Sequence, residues 1–201
     1  MNQETITLTE DEKDVLQELM NIAYGSATTV IAEMLDAFAS LSIPKIEILK
    51  TTSLLAKFDD LKSTSYFFST QAFMGEFSGE SVFFINKVSA NNLAQHLELE
   101  NNEDIHDAIL ELTNVLTSSL TTRLAQEMKT EITYSSPNIS EISLEQIADT
   151  QTFKNYSQVI VIYIQINFKD QKINGEIFIL TKDGSIQWLK QRLNSILAAL
   201  I

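Results

Sequence analysis

Asp14, Glu18 and Asn21 fall at i, i+4 and i+7 of a segment with helical spacing, which lays three polar side chains along one strip. Asp107, Glu111 and Asn114 repeat the pattern, and in both copies 22 residues separate the asparagine from a proline, Pro44 or Pro137. A carboxamide carries a donor and an acceptor, so it can hold a water with a lone pair aimed at an electrophile, although it is too weak a base to take the proton. A carboxylate one helical turn away can form a charge-assisted bond to a cation and fix the register of a docked helix. Such a strip suits the placing of one water on a visiting partner's reactive group, with docking and chemistry sharing a helix. One Glu-x-x-Asn alone is ordinary on a solvated helix face. The four-residue pattern arises by chance at roughly one in a hundred thousand starting points, and here it occurs twice without a change in spacing. Asp14 and Asp107 are supporting residues, as readily solvated as in contact.

The elements that must carry these residues follow from periodicity. Thr9 and Glu12 have the spacing of a capping box. From there Val15, Leu16, Leu19, Ile22, Ala23, Ala27, Val30, Ile31 and Leu35 recur at three and four, predicting a helix to about residue 35. Pro44 stops any helical continuation, and Ile46 and Ile48 alternate with charge as a short half-buried strand does. Residues 66–73 and 77–85 are rich in aromatic and branched side chains around Met74-Gly75-Glu76, an antiparallel hairpin. A short helix over 90–97 closes the half. The second half reads as a helix over 105–128, Pro137, a polar segment, strands at 159–168 and 173–181, and a helix over 186–200. Segments 54–62 and 143–156 carry the weakest pattern.

The halves are copies. A constant offset of 93 pairs Asp14/Asp107, Glu18/Glu111, Leu19/Leu112, Asn21/Asn114, Ser26/Ser119, Thr28/Thr121, Thr29/Thr122, Ala32/Ala125, Ser42/Ser135 and Pro44/Pro137. Gly79-Glu80 pairs with Gly175-Glu176 at an offset of 96, so a small insertion separates the two alignments. Each copy, about 9–100 and about 101–201, reads as a helix, three strands and a helix, too small to fold well alone. The expected architecture is therefore a mixed α+β single domain over 1–201. Its strands would join around a pseudo-twofold axis in a largely antiparallel sheet with two long site helices, and 98–104 would be the connector.

Composition narrows the function. Acidic residues outnumber basic ones 27 to 14, a net charge of −13, which repels a phosphate backbone and argues against nucleic acid. Cysteine is absent, which removes disulfides, thiolate metal sites and cysteine nucleophiles. Residues 1–12 lack the apolar core of a signal peptide and no stretch is uncharged and apolar for long enough to span a bilayer, so a cytoplasmic chain without membrane insertion is expected. His96 and His106 lack metal-ligand spacing and read as structural. The five glycines form neither a phosphate loop nor a dinucleotide fingerprint, and no intrinsic cofactor is expected. Trp188, Leu189, Leu193 and Leu197 form a core-facing stripe, and the aromatic residues of 66–84 read as sheet packing.

The repeated pattern, with Asn21-Ile22-Ala23-Tyr24-Gly25-Ser26-Ala27-Thr28-Thr29 after the first glutamate, resembles the CheC/CheX/FliY family of chemotaxis response-regulator phosphatases over nearly the whole chain. Two complete motifs favour the CheC-like branch over CheX-like members, which keep one functional helix and pair as dimers. The resemblance implies hydrolysis of the aspartyl phosphate of a CheY-like regulator. Glu18 and Glu111 would dock on the regulator's active-site lysine, and Asn21 and Asn114 would orient the attacking water. It also implies Mg²⁺ on the receiver substrate, a stimulating partner in CheD and, as the alternative, a non-catalytic adaptor of chemotaxis or flagellar-switch signalling. Ser118 stands where the first copy has Gly25, and Thr113 and Leu116 replace residues that are often small, so the second site is expected to seat less closely. Met20 and Tyr24 depart in the first copy. Pro44 and Pro137 read as architectural, ending the link from helix to strand.

Overall fold

The computed structural model describes residues 6–38, 40–50, 53, 66–99, 101–142, 158–181 and 183–199; the weakly patterned segments 54–62 and 143–156 lie outside them. Helix α1 (Glu10–Met34) is followed by strands β1 (Ser40–Leu41), β2 (Lys45–Lys50), β3 (Tyr66–Gly75) and β4 (Gly79–Asn86), then helix α2 (Lys87–His96). The second half repeats the order with α3 (Asn102–Glu127), β5 (Ile132–Tyr134), β6 (Asn138–Ile142), β7 (Gln158–Phe168), β8 (Ile173–Thr181) and α4 (Asp183–Ala199). The expected fold class holds, a mixed α+β chain with a largely antiparallel sheet. The described strands number four per half rather than three, because β1 and β5 are too short to show a period and β6 lies in the segment read only as polar.

The duplication is written into the strand register. The strands form one eight-stranded sheet ordered β1-β7-β8-β4-β3-β5, with β2 also on β7 and β6 also on β3. Ser40 pairs with Asn167 and Thr133 with Met74; adding 93 to the first pair's early member and subtracting it from the late one gives the second pair. The same holds for Ile46 with Ile162 and for Ile139 with Ser69. Each half therefore lends its first two strands to the other half's hairpin. At the centre, Val82 on β4 faces Phe178 on β8, its own equivalent at the offset of 96, so the pseudo-twofold axis passes through this pair. Phe73 pairs with Gly79 and Ile166 with Gly175, which carries the offset of 93 through β3 and β7 and places the three-residue insertion in the second hairpin's turn. Gly79 and Gly175 allow close approach here: a Cβ would stand 2.0 Å from the Leu180 carbonyl oxygen or 2.6 Å from Phe83 Cε2.

Alternation splits the sheet's two faces. Phe73, Phe83, Ile85, Ile162, Ile164, Ile177 and Ile179 meet the helices in one core with Leu16, Met20, Leu112 and Leu116. Tyr66, Phe68, Val82, Phe84, Val161, Phe178 and Leu180 form a second cluster on the opposite face, where Phe84 meets Phe68 and Phe178 edge-on at 5.2 and 5.7 Å. Trp188, Leu189 and Leu193 pack into the helix-side core as expected.

Helix ends fall within one residue of the expected 35, 97, 128 and 200, whereas the last three helices start three residues before the expected 90, 105 and 186. The Thr9 hydroxyl accepts from the Glu12 N–H at 3.2 Å and Glu12 Oε2 accepts from the Thr9 N–H at 2.7 Å, the reciprocal box predicted. The long helices end well before the prolines, as expected. The first helix is capped at Leu35 and the second long one at Met128, each followed by a residue at positive φ, Asp36 at 42° and Lys129 at 55°. The Ala37 N–H then closes on the Ala32 carbonyl at 3.1 Å, and Thr130 on Ala125 at 3.0 Å, a Schellman ending at both. Pro44 and Pro137 stand between the first and second short strands of each half, where proline has no N–H to offer a ladder. The paired serines bridge that gap. Ser42 donates its N–H to the Gln165 carbonyl and accepts the Gln165 N–H on Oγ, and Ser135 does the same with Ala72, all at 2.8–3.1 Å.

Candidate functional site

Two long helices packed side by side, α1 and α3, carry the paired motifs. Burial of Leu16, Leu19, Met20, Ala23, Ala27 and Ile31 fixes which way α1 faces, and Ile109, Leu112, Leu116, Leu120 and Leu124 do so for α3. The opposite strip then presents Asp14, Glu18, Asn21 and Gly25 exposed on α1. On α3, Asp107 and Glu111 are exposed and Asn114 is half-buried. Met20, rather than Ile22, completes the buried face, leaving Ile22 at 36 % and Val30 at 41 % exposure on the site side of α1.

The first helix is anchored at the end nearest its motif. Glu12, 1 % exposed, accepts from Asn194 Nδ2 at 2.7 Å on the last helix, with the Lys190 ammonium at 3.7 Å. Burial alone would raise its carboxyl pKa; the Thr9 backbone N–H, the Asn194 amide, the Lys190 charge and the Thr9 hydroxyl together outweigh it and hold the group below the usual carboxylate range.

The four proposed chemical residues divide into free acids and tethered amides. Among the described residues, no hydrogen bond or ion pair engages Glu18, Glu111, Asp14 or Asp107. Asn21 Oδ1 accepts from Gln17 Nε2 at 3.2 Å, one turn back on the exposed face. Asn114 Oδ1 accepts from Gln71 Nε2 at 2.8 Å, a donor from β3 that is only 2 % exposed. Each carbonyl oxygen keeps a second lone pair and each Nδ2 two N–H groups, so both amides can still hold a water. Around the second motif the surface is concave, an open depression of about 580 Å³ bounded by Asp107, Glu111, Asn114, Gln71, Ser135 and Pro137 among others. Gln71 was not among the sequence candidates; its only signal is a polar residue in an apolar strand.

Several departures change meaning once placed. Thr113 and Leu116 are buried in the helix-side core and Met20 is fully buried, so none of the three alters the docking surface. Ser118 is half-buried and donates to the Val115 carbonyl at 3.3 Å. A Cβ on Gly25 would meet nothing within 4 Å among the described residues, so none of them requires glycine there. The histidines have structural contacts: His96 Nε2 donates to the Leu35 carbonyl at 2.6 Å, and His106 packs edge-on against Phe67 at 5.4 Å. No helix among the described residues is long and apolar enough to cross a membrane.

Known proteins resemble this chain in sequence and in fold. The sequence model of the CheC-like family matches residues 12–38, from the buried capping glutamate through the first acid and amide to the turn after α1. CheY-P phosphatase CheC of Bacillus subtilis (strain 168) is 26 % identical over 147 residues, covering 68 % of this chain and 68 % of the relative. Thermotoga maritima FliY superposes with a TM-score of 0.74 at 18 % identity, over 94 % of this chain and 99 % of that one. The FliM middle domain from H. pylori gives 0.63 at 11 % identity, over 92 % and 99 %. The structural likenesses speak to the fold, while the family model and the curated relative speak to a likeness in sequence. On these findings the chain is similar to proteins of the CheC/CheX/FliY family.

Proposed function

We propose that this protein hydrolyses the aspartyl phosphate of a CheY-like response regulator by placing a water in line with phosphorus. The observation that carries the reading is the outward display of Glu18 with Asn21 and Glu111 with Asn114 on two helices, with both acids free of partners among the described residues. An aspartyl phosphate is a reactive mixed anhydride held against Mg²⁺ on the receiver, so the visiting helix need bring neither metal nor nucleophile. Glu18 or Glu111 takes the receiver's active-site lysine and sets the register. Asn21 or Asn114 then holds the water through its remaining lone pair and N–H groups. The water oxygen bonds to phosphorus as the bond to the aspartyl oxygen breaks; its electrons leave with the carboxylate, and the water proton departs with inorganic phosphate. CheD, expected from the likeness to CheC, would be a second partner, and both would be met in the cytoplasm.

The test is phosphate release from a phosphorylated CheY-like receiver. Asn21→Ala combined with Asn114→Ala should lower turnover about 100-fold, as removal of a positioning group does. Unchanged turnover would reject the assignment. A non-catalytic adaptor is the second reading, favoured by the internal hydrogen bond on each amide oxygen.

A further inference from the structure

The two motifs have equal spacing but unequal support. Gln71 Nε2 has two N–H groups and two acceptors, Asn114 Oδ1 at 2.8 Å and the Ser135 carbonyl at 2.9 Å. Ser135 is itself fixed to β3, donating its N–H to the Ala72 carbonyl at 3.0 Å and accepting the Ala72 N–H on Oγ at 3.1 Å. Turning the Gln71 amide over would set oxygen against both of these oxygens, so Ser135 dictates how Gln71 points and Gln71 dictates how the Asn114 amide lies. Gln71 Oε1 is buried and has no hydrogen-bond partner among the described residues, which makes glutamine an unfavourable choice for packing alone.

At the offset of 93 that relates β3 to β7, the equivalent of Gln71 is Ile164, fully buried and unable to donate. Among the described residues, Asn21 accordingly has Gln17, a half-buried neighbour on its own helix that donates to it at 3.2 Å. A surface side-chain pair of this kind must order two rotamer-rich groups and contributes little net energy, whereas a buried donor already held at one end does not.

Building on the phosphatase reading, we propose that Gln71 is a positioning residue for Asn114 and makes the second motif the more effective of the two. Gln71 acts through Asn114: it holds the Asn114 carboxamide in one rotation, with Nδ2 turned away from Gln71, so that a water bound there stays where an in-line attack needs it.

Single-site backgrounds test this directly. Asn114→Ala alone should cost about tenfold more turnover than Asn21→Ala alone. With Asn21→Ala, so that only the second motif works, Gln71→Met should lower kcat about tenfold with little change in KM, since docking through Glu111 is untouched. With Asn114→Ala, where the first motif works, the same Gln71→Met should change turnover less than twofold, and this arm reports any general damage to the fold. The side-chain NH₂ resonances of Asn114, followed by NMR in the full-length protein, should lose order on Gln71→Met while those of Asn21 do not. Equal losses in both backgrounds, no loss in either, or an Asn114 amide as ordered without Gln71 as with it would each overturn the proposal. A double Asn→Ala protein that turns over at the wild-type rate would instead remove the phosphatase reading, and the NMR arm would still decide whether Gln71 holds Asn114.

Discussion

At the scale of single residues, the placement of each acid and amide pair on one strip of a long helix was legible, because a sequence states helical spacing outright. The contacts of Gln71 were not, because they depend on a cross-strand neighbour, Ser135, and on a helix 43 positions along the chain. Gly25 shows what one position can add. Glycine in a helix interior is about 1 kcal/mol less favourable than alanine, yet a Cβ there would meet nothing among the described residues. The residue lies one turn beyond Asn21 on the exposed strip, where a docked receiver would approach the backbone. Gly25→Ala should therefore stabilise the protein by about 1 kcal/mol in thermal or urea unfolding. It should also lower kcat/KM for receiver dephosphorylation about fivefold, the same energy read at the docked surface. Added stability with undiminished kcat/KM would show that no partner uses the bare backbone.

At the scale of elements, helix ends were readable to within one residue, while three starts were read three residues late. Thr9 with Glu12 announced the first helix, whereas Asn101, which accepts the Asp104 N–H at 3.0 Å, was overlooked because it lies in the segment read as a connector. The C-terminal signal is normally glycine in the left-handed seat, and here Asp36, Glu98 and Lys129 occupy it at φ of 42°, 56° and 55°. With no glycine to mark the ends, they were legible only from where the apolar period stops, and the prolines downstream stand just before the next strand. Strands β1 and β5, of two and three residues, fall below the length at which alternation can be seen. The left-handed seat also supplies a test: Lys129→Gly removes the Cβ clash of that conformation and should raise stability by about 0.5–1 kcal/mol in urea unfolding. A loss of stability would mean that the lysine side chain contributes more at the end of α3 than its backbone strain removes.

At the scale of the molecule, the duplication and the antiparallel hairpins were visible, but the exchange of strands between halves was not. Periodicity tells which residues share a face and says nothing about which strand lies beside which. The same limit hid the environment of Glu176, which follows one of the duplicated glycines. On the face away from the helices its burial pushes the carboxyl pKa up, with hydrogen bonds from Tyr163 and Gln165 opposing in part, and the Tyr163 hydroxyl is itself pushed up by burial and by Glu176. A raised folded pKa means that the folded chain holds the proton more tightly than the unfolded one. Stability from this group is thus complete below the ordinary carboxylate pKa of about 4.3 and is lost as pH rises through the folded value. Glu176→Gln should raise Tm relative to wild type at pH 7–8, with the difference shrinking as pH falls toward 4. A difference that grows on acidification would contradict the burial argument.

The most direct test of water placement by these helices is turnover under substrate excess. The protein is mixed with phosphorylated receiver in roughly hundredfold molar excess and loss of the aspartyl phosphate is followed to completion. The expected result is full dephosphorylation at a rate proportional to the amount of protein. Loss limited to about one equivalent per molecule, or a rate no faster than the receiver alone, would contradict it and leave the adaptor reading in its place.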